Sequence, residues 1–248
     1  MMSESLIVFS REWAVTSAVT SLLSPLYTCP VLAVYGLSQL TSVLREQPRS
    51  SVILGLRPHE HVADLYRLQP LLTGRAVMFV SRFFYWVDYS LPEWYGQERY
   101  GFCTWDALQD PFSRRMELRR FRLGGLTVGD YDPVLAMGCF SSPDPFVTEV
   151  QILEMANRWL YRKLSEAGLT GDEIRVLLLM TEGRKGNMSS RARSLHKNNG
   201  LYKLGMTKHI TNLYRGVKVR AQLQSTLASL AEASLVDMVM LLIQEPSQ

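Results

Sequence analysis

Short apolar runs punctuate the first 120 residues at near-regular intervals: SLIVFS (5–10), CPVLAVYG (29–36), SVILGL (51–56), AVMFVSR (76–82) and RYGFCTW (99–105). Each is rich in β-branched and aromatic residues and too short for a buried helix, the mark of a strand covered on both faces. Between them the apolar positions open out to helical spacing, in WAVTSAVTSLLSPL (13–26), LSQLTSVLREQ (37–47), HEHVADLYRLQPLL (59–72) and DALQDPFSRRMELRRF (106–121). Pro25 and Pro48 stop the first two. The aromatic stretch FFYWVDYSLPEWYG (83–96) fits neither period and reads as a loop or short helix. Strands alternating with helices predict a parallel sheet covered on both faces. Five such repeats make residues 1–121 the size of a flavodoxin-like, doubly wound α/β domain.

Residues 122–146 hold four glycines and three prolines without a sustained period, and read as a linker. From 147 to 248 the pattern is all helical. VTEVQILEMANRWLYRKLSEAG (147–168) is amphipathic and stops at Gly168. LTGDEIRVLLLMTEG (169–183) opens with Thr170 and, three residues on, Glu173, which is the spacing of a capping box. Gly183 ends it. A helix over SSRARSLHK (189–197) is expected to be interrupted by Asn198, Asn199 and Gly200. Another is expected from Thr207, as TKHITNLYRGVKV. The tail 222–244 is apolar on more than one face in its last turns, which suits a partner helix or a dimer contact.

Charge changes the picture. The chain has 27 basic and 23 acidic side chains, but residues 183–231 contribute ten of the former and none of the latter. Net charge is therefore +10 on that segment and −6 on the remainder, an asymmetry that points to a polyanion, with nucleic acid first. A hydrophobic content of 47% and a charged content of 20% are those of a globular protein. No apolar run reaches the ~18–20 residues that span a bilayer, so no membrane partner is expected. The opening MMSESLIVFSREW lacks a basic region and reads as a buried strand, not a signal peptide. Cys29, Cys103 and Cys139 are odd in number and far apart, which argues against a disulfide framework and for a reducing cytoplasm.

Catalytic patterns do not assemble. His59 and His61 in RPHEH have no further spaced Cys or His to complete a metal site. FSREWAV has no glycine-rich turn after the first strand, and GRKGNMSS lacks the spacing of a phosphate-binding loop. There is no G-x-S-x-G elbow and no H-E-x-x-H. No catalytic residue, metal or cofactor is expected.

The order Leu169, Thr170, Glu173, Val176, Leu177, then Glu182 and Gly183, a basic helix with Ala192 and Leu195, then His209, Asn212, Leu213, Arg215 and Val219 resembles LuxR/FixJ-type helix-turn-helix domains. The front half resembles, in layout, the receiver domain of bacterial response regulators. Together they are similar to the atypical enterobacterial regulators of curli, capsule and fimbriae. The resemblance implies a bacterial, sequence-specific DNA-binding transcription regulator. It would act on double-stranded DNA as a homodimer, or as a heterodimer with a related regulator. The alternative class is a non-enzymatic interaction protein that modulates a partner regulator without binding DNA itself.

Two registers fit the family pattern. In the first, the recognition helix spans Thr207 to Val219, with Ile210, Leu213 and Val217 packing against Leu177 and Leu195. Lys208, Arg215 and Lys218 then reach phosphates, and Asn212 and Arg215 read base edges beside Thr211. Thr207 and His209 serve as cap or phosphate contacts, while Arg191, Arg193, Lys197 and Lys203 frame the groove. In the second, HKNNGLYKLGM (196–206) takes the place of the family's H-R-x-N-x-x-x-K-L-G-V. That register shortens the supporting helix away, so the first, with its enlarged turn, is preferred.

A working receiver needs an acidic pair after strand 1, an Asp after strand 3, a hydroxyl after strand 4 and a Lys after strand 5. Here strand 1 runs into Ser10, Arg11 and Glu12, and strand 3 into Gly55, Leu56 and Arg57. Ser81 matches the hydroxyl, but Thr104, Trp105 and Asp106 follow strand 5. Without a carboxylate cage there is no Mg²⁺ to neutralise a phosphoryl group. The resemblance therefore implies a receiver-like domain with no phosphoacceptor, used for docking or dimerisation.

Overall fold

The computed structural model describes residues 5–122, 147–206, 216–225 and 227. Among them, β1 (Leu6–Phe9), β2 (Val31–Val34), β3 (Ser51–Leu54), β4 (Ala76–Ser81) and β5 (Arg99–Thr104) form one parallel sheet in the order β2-β1-β3-β4-β5. That is the flavodoxin-like strand order, and it is the fold the alternation of strands and helices predicts.

Side chains leave each strand alternately, so neighbouring residues feed two different cores. Leu6 and Val8 join Ile53, Met78, Val80 and Cys103 on one face, covered by α1 (Trp13–Leu23), α5 (Trp105–Gln109) and α6 (Pro111–Arg122). Ile7 and Phe9 join Val52, Leu54, Val77 and Phe79 on the other, under α2 (Leu37–Glu46), α3 (Val62–Leu72) and α4 (Trp86–Trp94). Arg75, buried between β3 and the ends of α2 and α3, donates to the carbonyls of Leu71, Gln47, Ser50 and Leu44. It satisfies backbone acceptors that would otherwise be stranded out of water.

One local reading changes and another is narrowed. The closing helix over 106–121 is two helices, because Pro111 cannot donate to the ladder and starts α6 afresh after Asp110. The aromatic stretch is a helix, α4. Its Asp88, at 0% exposure, accepts the backbone N–H of Tyr85 at 2.8 Å and so caps the first turn. Pro70 and Pro92 sit inside α3 and α4 without ending either.

The helical part begins with α7 (Glu149–Glu166), opened by a capping box between Thr148 and Gln151. α8 (Gly171–Thr181) has the expected box: Thr170 N–H donates to Glu173 Oε2 at 2.8 Å, and Glu173 N–H to Thr170 Oγ1 at 3.3 Å. α9 (Ser190–Lys203) follows after a short connection. Gly168, Gly183 and Gly205, with φ of +80°, +71° and +66°, close the three helices in turn. At each, the N–H beyond the glycine reaches back to a carbonyl of the last turn: Leu169 to Leu164, Arg184 to Leu179, Met206 to Leu201. Only glycine adopts that conformation without strain, which is why the helices stop there.

α7 joins the two parts of the molecule. Ile152, Leu153, Ala156 and Leu160 extend the core over α3 and α4, while Leu164 belongs to a separate cluster with Leu169, Ile174, Leu177, Leu201 and Val217. Lys163 on α7 also pairs with Glu93 on α4 at 2.7 Å.

Candidate nucleic-acid interface

α9 carries four of the basic residues singled out in the sequence: Arg191, Arg193, Lys197 and Lys203. The helix is continuous through Asn198, Asn199 and Gly200, where an interruption was expected. Packing overrides propensity here. A side chain at position 200 would come within 2.9 Å of Leu177 Cδ1, so the glycine lets α9 lie directly on α8. Leu201 fills the same seam.

The two halves of α9 differ sharply. Gly200 and Leu201 are its only buried residues, and nothing from Ser190 to Asn199 is buried. In the C-terminal half, Lys203 Nζ lies 2.8 Å from Glu173 Oε2 and 3.0 Å from the Gly168 carbonyl. Burial alone would raise the Glu173 pKa, but the bonds from Lys203 and Thr170 outweigh it and hold the carboxyl below its ordinary value. Lys203 is thus committed to the scaffold. Arg193 is engaged locally, with the Lys185 carbonyl at 3.0 Å and Ser190 Oγ at 3.2 Å. Arg191 and Lys197 form no ion pair with another described residue. The connection before α9 is itself basic, with Arg184 and Lys185.

Leu195 corrects a second expectation. It is 57% exposed and does not meet Val217. Val217 packs with Leu177, as expected, and with Leu164 and Leu201, held by the short stretch that follows Gly216. Lys218 pairs with Glu182 at 3.1 Å, which draws that carboxyl below the usual range. Thr207, Lys208, His209, Thr211, Asn212 and Arg215 lie outside the described residues, as do Ile210 and Leu213.

The sheet edge where a receiver would carry its chemistry is filled. Ser10 Oγ donates to the Gly55 carbonyl at 2.8 Å, and Ser10 N–H donates to Thr16 Oγ1 at 2.9 Å. A Cβ at Gly55 would lie 2.8 Å from Val15 Cγ1 and 2.9 Å from Ser10 Cβ. No side chain fits at position 55 without moving its neighbours. Arg57 pairs with Glu60 and lies 4.8 Å from the centre of the Phe83 ring. Thr104 caps α5 by accepting from Ala107 N–H. Among the described residues no three His, Cys, Asp or Glu side chains group as metal ligands, and no helix is long and apolar enough to cross a membrane.

No family model and no curated protein matches the sequence. Solved structures do. A structure of two RcsB dimers bound to two parallel DNAs aligns over 85% of this chain and 96% of its own, with a TM-score of 0.51 at 16% identity. RcsB from Salmonella typhimurium aligns over 87% and 98%, at 0.39 and 14%. FixJ from B. japonicum aligns over 87% and 95%, at 0.34 and 11%. The first of these likenesses shows that the chain shares the fold of that RcsB structure, and at that identity it speaks for fold alone.

Proposed function

We propose that the protein is a sequence-specific DNA-binding transcription regulator, a non-enzyme whose receiver-like unit works without phosphorylation and whose α9 is the DNA-reading helix. The observation that carries this reading is the division of α9. One half is anchored on α8, and the other is unburied, basic and free of acids. Unburied cations on a rigidly mounted helix suit phosphate neutralisation, and the exposed Ser194 and Asn199, with Asn198 between them, suit contacts to base edges. This favours the second register, in which Lys203, Leu204, Gly205 and Met206 close the recognition helix. The lost supporting helix is offset by α8 and Val217, which provide the scaffold directly. The RcsB structure that shares the fold holds dimers on DNA. One recognition helix reads few base pairs, so this chain is read as a dimer too, with itself or with a related regulator. The filled edge around Ser10 and Gly55 supports independence from phosphorylation.

The test is duplex binding across a salt series. Replacing Arg191 and Lys197 together by Ala should weaken binding and reduce the slope of log affinity against log salt by about 0.9 for each lost phosphate contact. If that pair is silent while Lys208→Ala with Arg215→Ala abolishes binding, the other register holds. If wild type binds DNA only after a related regulator is added, the interaction-protein reading replaces this one.

A further inference from the structure

The two edges of the sheet are guarded differently. At the β5 edge the strand opens on Glu98 and Arg99, both exposed, and charge of this kind discourages pairing with another chain. The β2 edge has no such guard. Residues 13–44 hold no Asp, Glu, Lys or Arg, in a chain that is 20% charged. They take in α1, β2 and α2 up to its last two residues. The edge strand and most of the helix on each face beside it are therefore uncharged.

The backbone of β2 is half used. Leu6 N–H donates to the Pro30 carbonyl at 3.0 Å, and the register runs from Leu6 with Val31 to Phe9 with Val34. Alternation along a parallel ladder then turns the N–H groups of Leu32 and Val34 towards β1, and those of Val31 and Ala33 outward with their carbonyls. Among the described residues nothing bonds to these outward groups. The next outward N–H, that of Tyr35, is closed by Gln39 Oε1 at 3.1 Å. The open stretch is thus Val31 to Ala33, where the strand is half-buried. The solvent sides of the flanking helices carry small side chains, Ala14, Ala18 and Ser21 on α1 and Ser38 and Ser42 on α2. Trp13 is 73% exposed and Tyr35 45%, and the Tyr35 hydroxyl lies 3.2 Å from Ser17 Oγ, joining the end of β2 to α1. Exposed Trp and Tyr are the residue types that anchor interfaces.

We propose that a second copy of this chain pairs along the β2 edge, antiparallel across a two-fold axis at Leu32, so that the two sheets become one. This rests on the dimer of the proposed function and is independent of which helix reads DNA. About that axis Val31 lies opposite Ala33 of the partner subunit and exchanges both N–H···O bonds with it, using the outward groups. Charge and area select the occupant. A two-fold interface sets a surface against itself, so a face of one sign repels its copy. With five Arg and one Glu, α6 is excluded on that ground, while the β2 edge has no charge to repel. A strand of four residues alone covers too little for the ~1,200–2,000 Å² of a stable interface. A second copy adds its own α1 and α2, which an isolated peptide lacks.

Sedimentation of the full chain without DNA, over a concentration series, tests this together with amide hydrogen exchange. Wild type should form a dimer in which the Val31 and Ala33 amides are protected. Dilution to monomer should abolish that protection, while Val34, bonded to β1, keeps its own. Ala33→Pro removes an outward N–H that β1 does not use, a change an edge strand tolerates. It should be monomeric, with Val8 and Ile53 in the sheet still protected. Should A33P disturb those sheet amides, the wild-type dilution series decides alone. A chain that is monomeric throughout, a dimer with Val31 and Ala33 unprotected, or an A33P dimer with its sheet intact overturns the proposal. Protection gained at Val31 only when a related regulator is added assigns the edge to that partner instead and rejects the second copy. DNA binding by a monomer rejects this face and leaves the regulator reading, whereas a dimer on this edge that binds no DNA does the reverse.

Discussion

The C-terminal edge of the sheet and the N-terminal half of α9 are two candidate ligand sites among the described residues, and the chain treats them in opposite ways. At the sheet edge the hydroxyls are turned inward. Ser10 bonds to Gly55 and Thr16, Thr104 caps a helix, and Arg57 is neutralised by Glu60. Along α9 from Ser190 to Asn199 no residue is buried, and Arg191, Arg193 and Lys197 form no ion pair with another described residue. An edge whose Ser10, Thr104 and Arg57 are engaged within the chain fits the proposed independence from phosphorylation. A helix whose Arg191 and Lys197 form no ion pair with another described residue, yet which is fixed at one end, suits an external partner. Under the proposed function, the contrast means that the working chemistry lies on a helix face and not at the sheet edge.

The comparison breaks most readily at the anchor of α9. Leu201→Ala removes the side chain that fills the seam with Leu177 and Val217, and should cost about 2–4 kcal/mol, read as a lower midpoint in denaturant. DNA affinity should fall with it under conditions where the sheet remains folded. A smaller effect is expected at the closed edge. Gly55→Asp restores the carboxylate that a receiver would carry, but its Cβ must displace Val15 and Ser10. Overpacking of this kind costs about 1–3 kcal/mol. The variant should be less stable than wild type and still take up no stable phosphate from acetyl phosphate with Mg²⁺. A phosphorylated wild type would show that the edge is not closed.

Much of the sheet unit was legible because its signals are local. Alternation placed all five strands, and Thr170 with Glu173 announced α8 three residues before its core began. What was missed came from distant partners. Asn198-Asn199-Gly200 reads as a break because each residue disfavours a helix, and nothing nearby reveals that Leu177 needs the space at Gly200. The aromatic stretch hides α4 because its apolar positions do not confine themselves to one face, and its organising residue, Asp88, bonds to His59 from 29 positions away. The RPHEH motif was weighed for metal, whereas its histidines serve Asp88 and Ser225. For the candidate interface, the acid-free span marked the region, but only the packing of α9 separates Lys203, which is tied down, from Arg191 and Lys197, which are not.

That separation can be sharpened by titration, with the smallest effect of the three. Lys203 and Arg191 carry the same charge on the same helix, and pH distinguishes them because only Lys203 has a buried carboxylate, its Glu173 side chain being 4% exposed. The Glu173 pKa is depressed in the folded chain, so its contribution is fully present above the unfolded value of about 4.3 and is lost as pH falls through the folded one. Glu173→Gln retains a carbonyl for Thr170 N–H but gives up the ion pair. It should cost about 1 kcal/mol at neutral pH, the charge-assisted bond being discounted for solvent at Lys203. The stability gap between wild type and E173Q should stay level down to about pH 4.3 and narrow below it. Lys203→Met should narrow in the same window, and Arg191→Ala should show no gap at any pH. If R191A instead tracks K203M, the exposed half of α9 is built into the scaffold, and the division of labour along that helix is wrong.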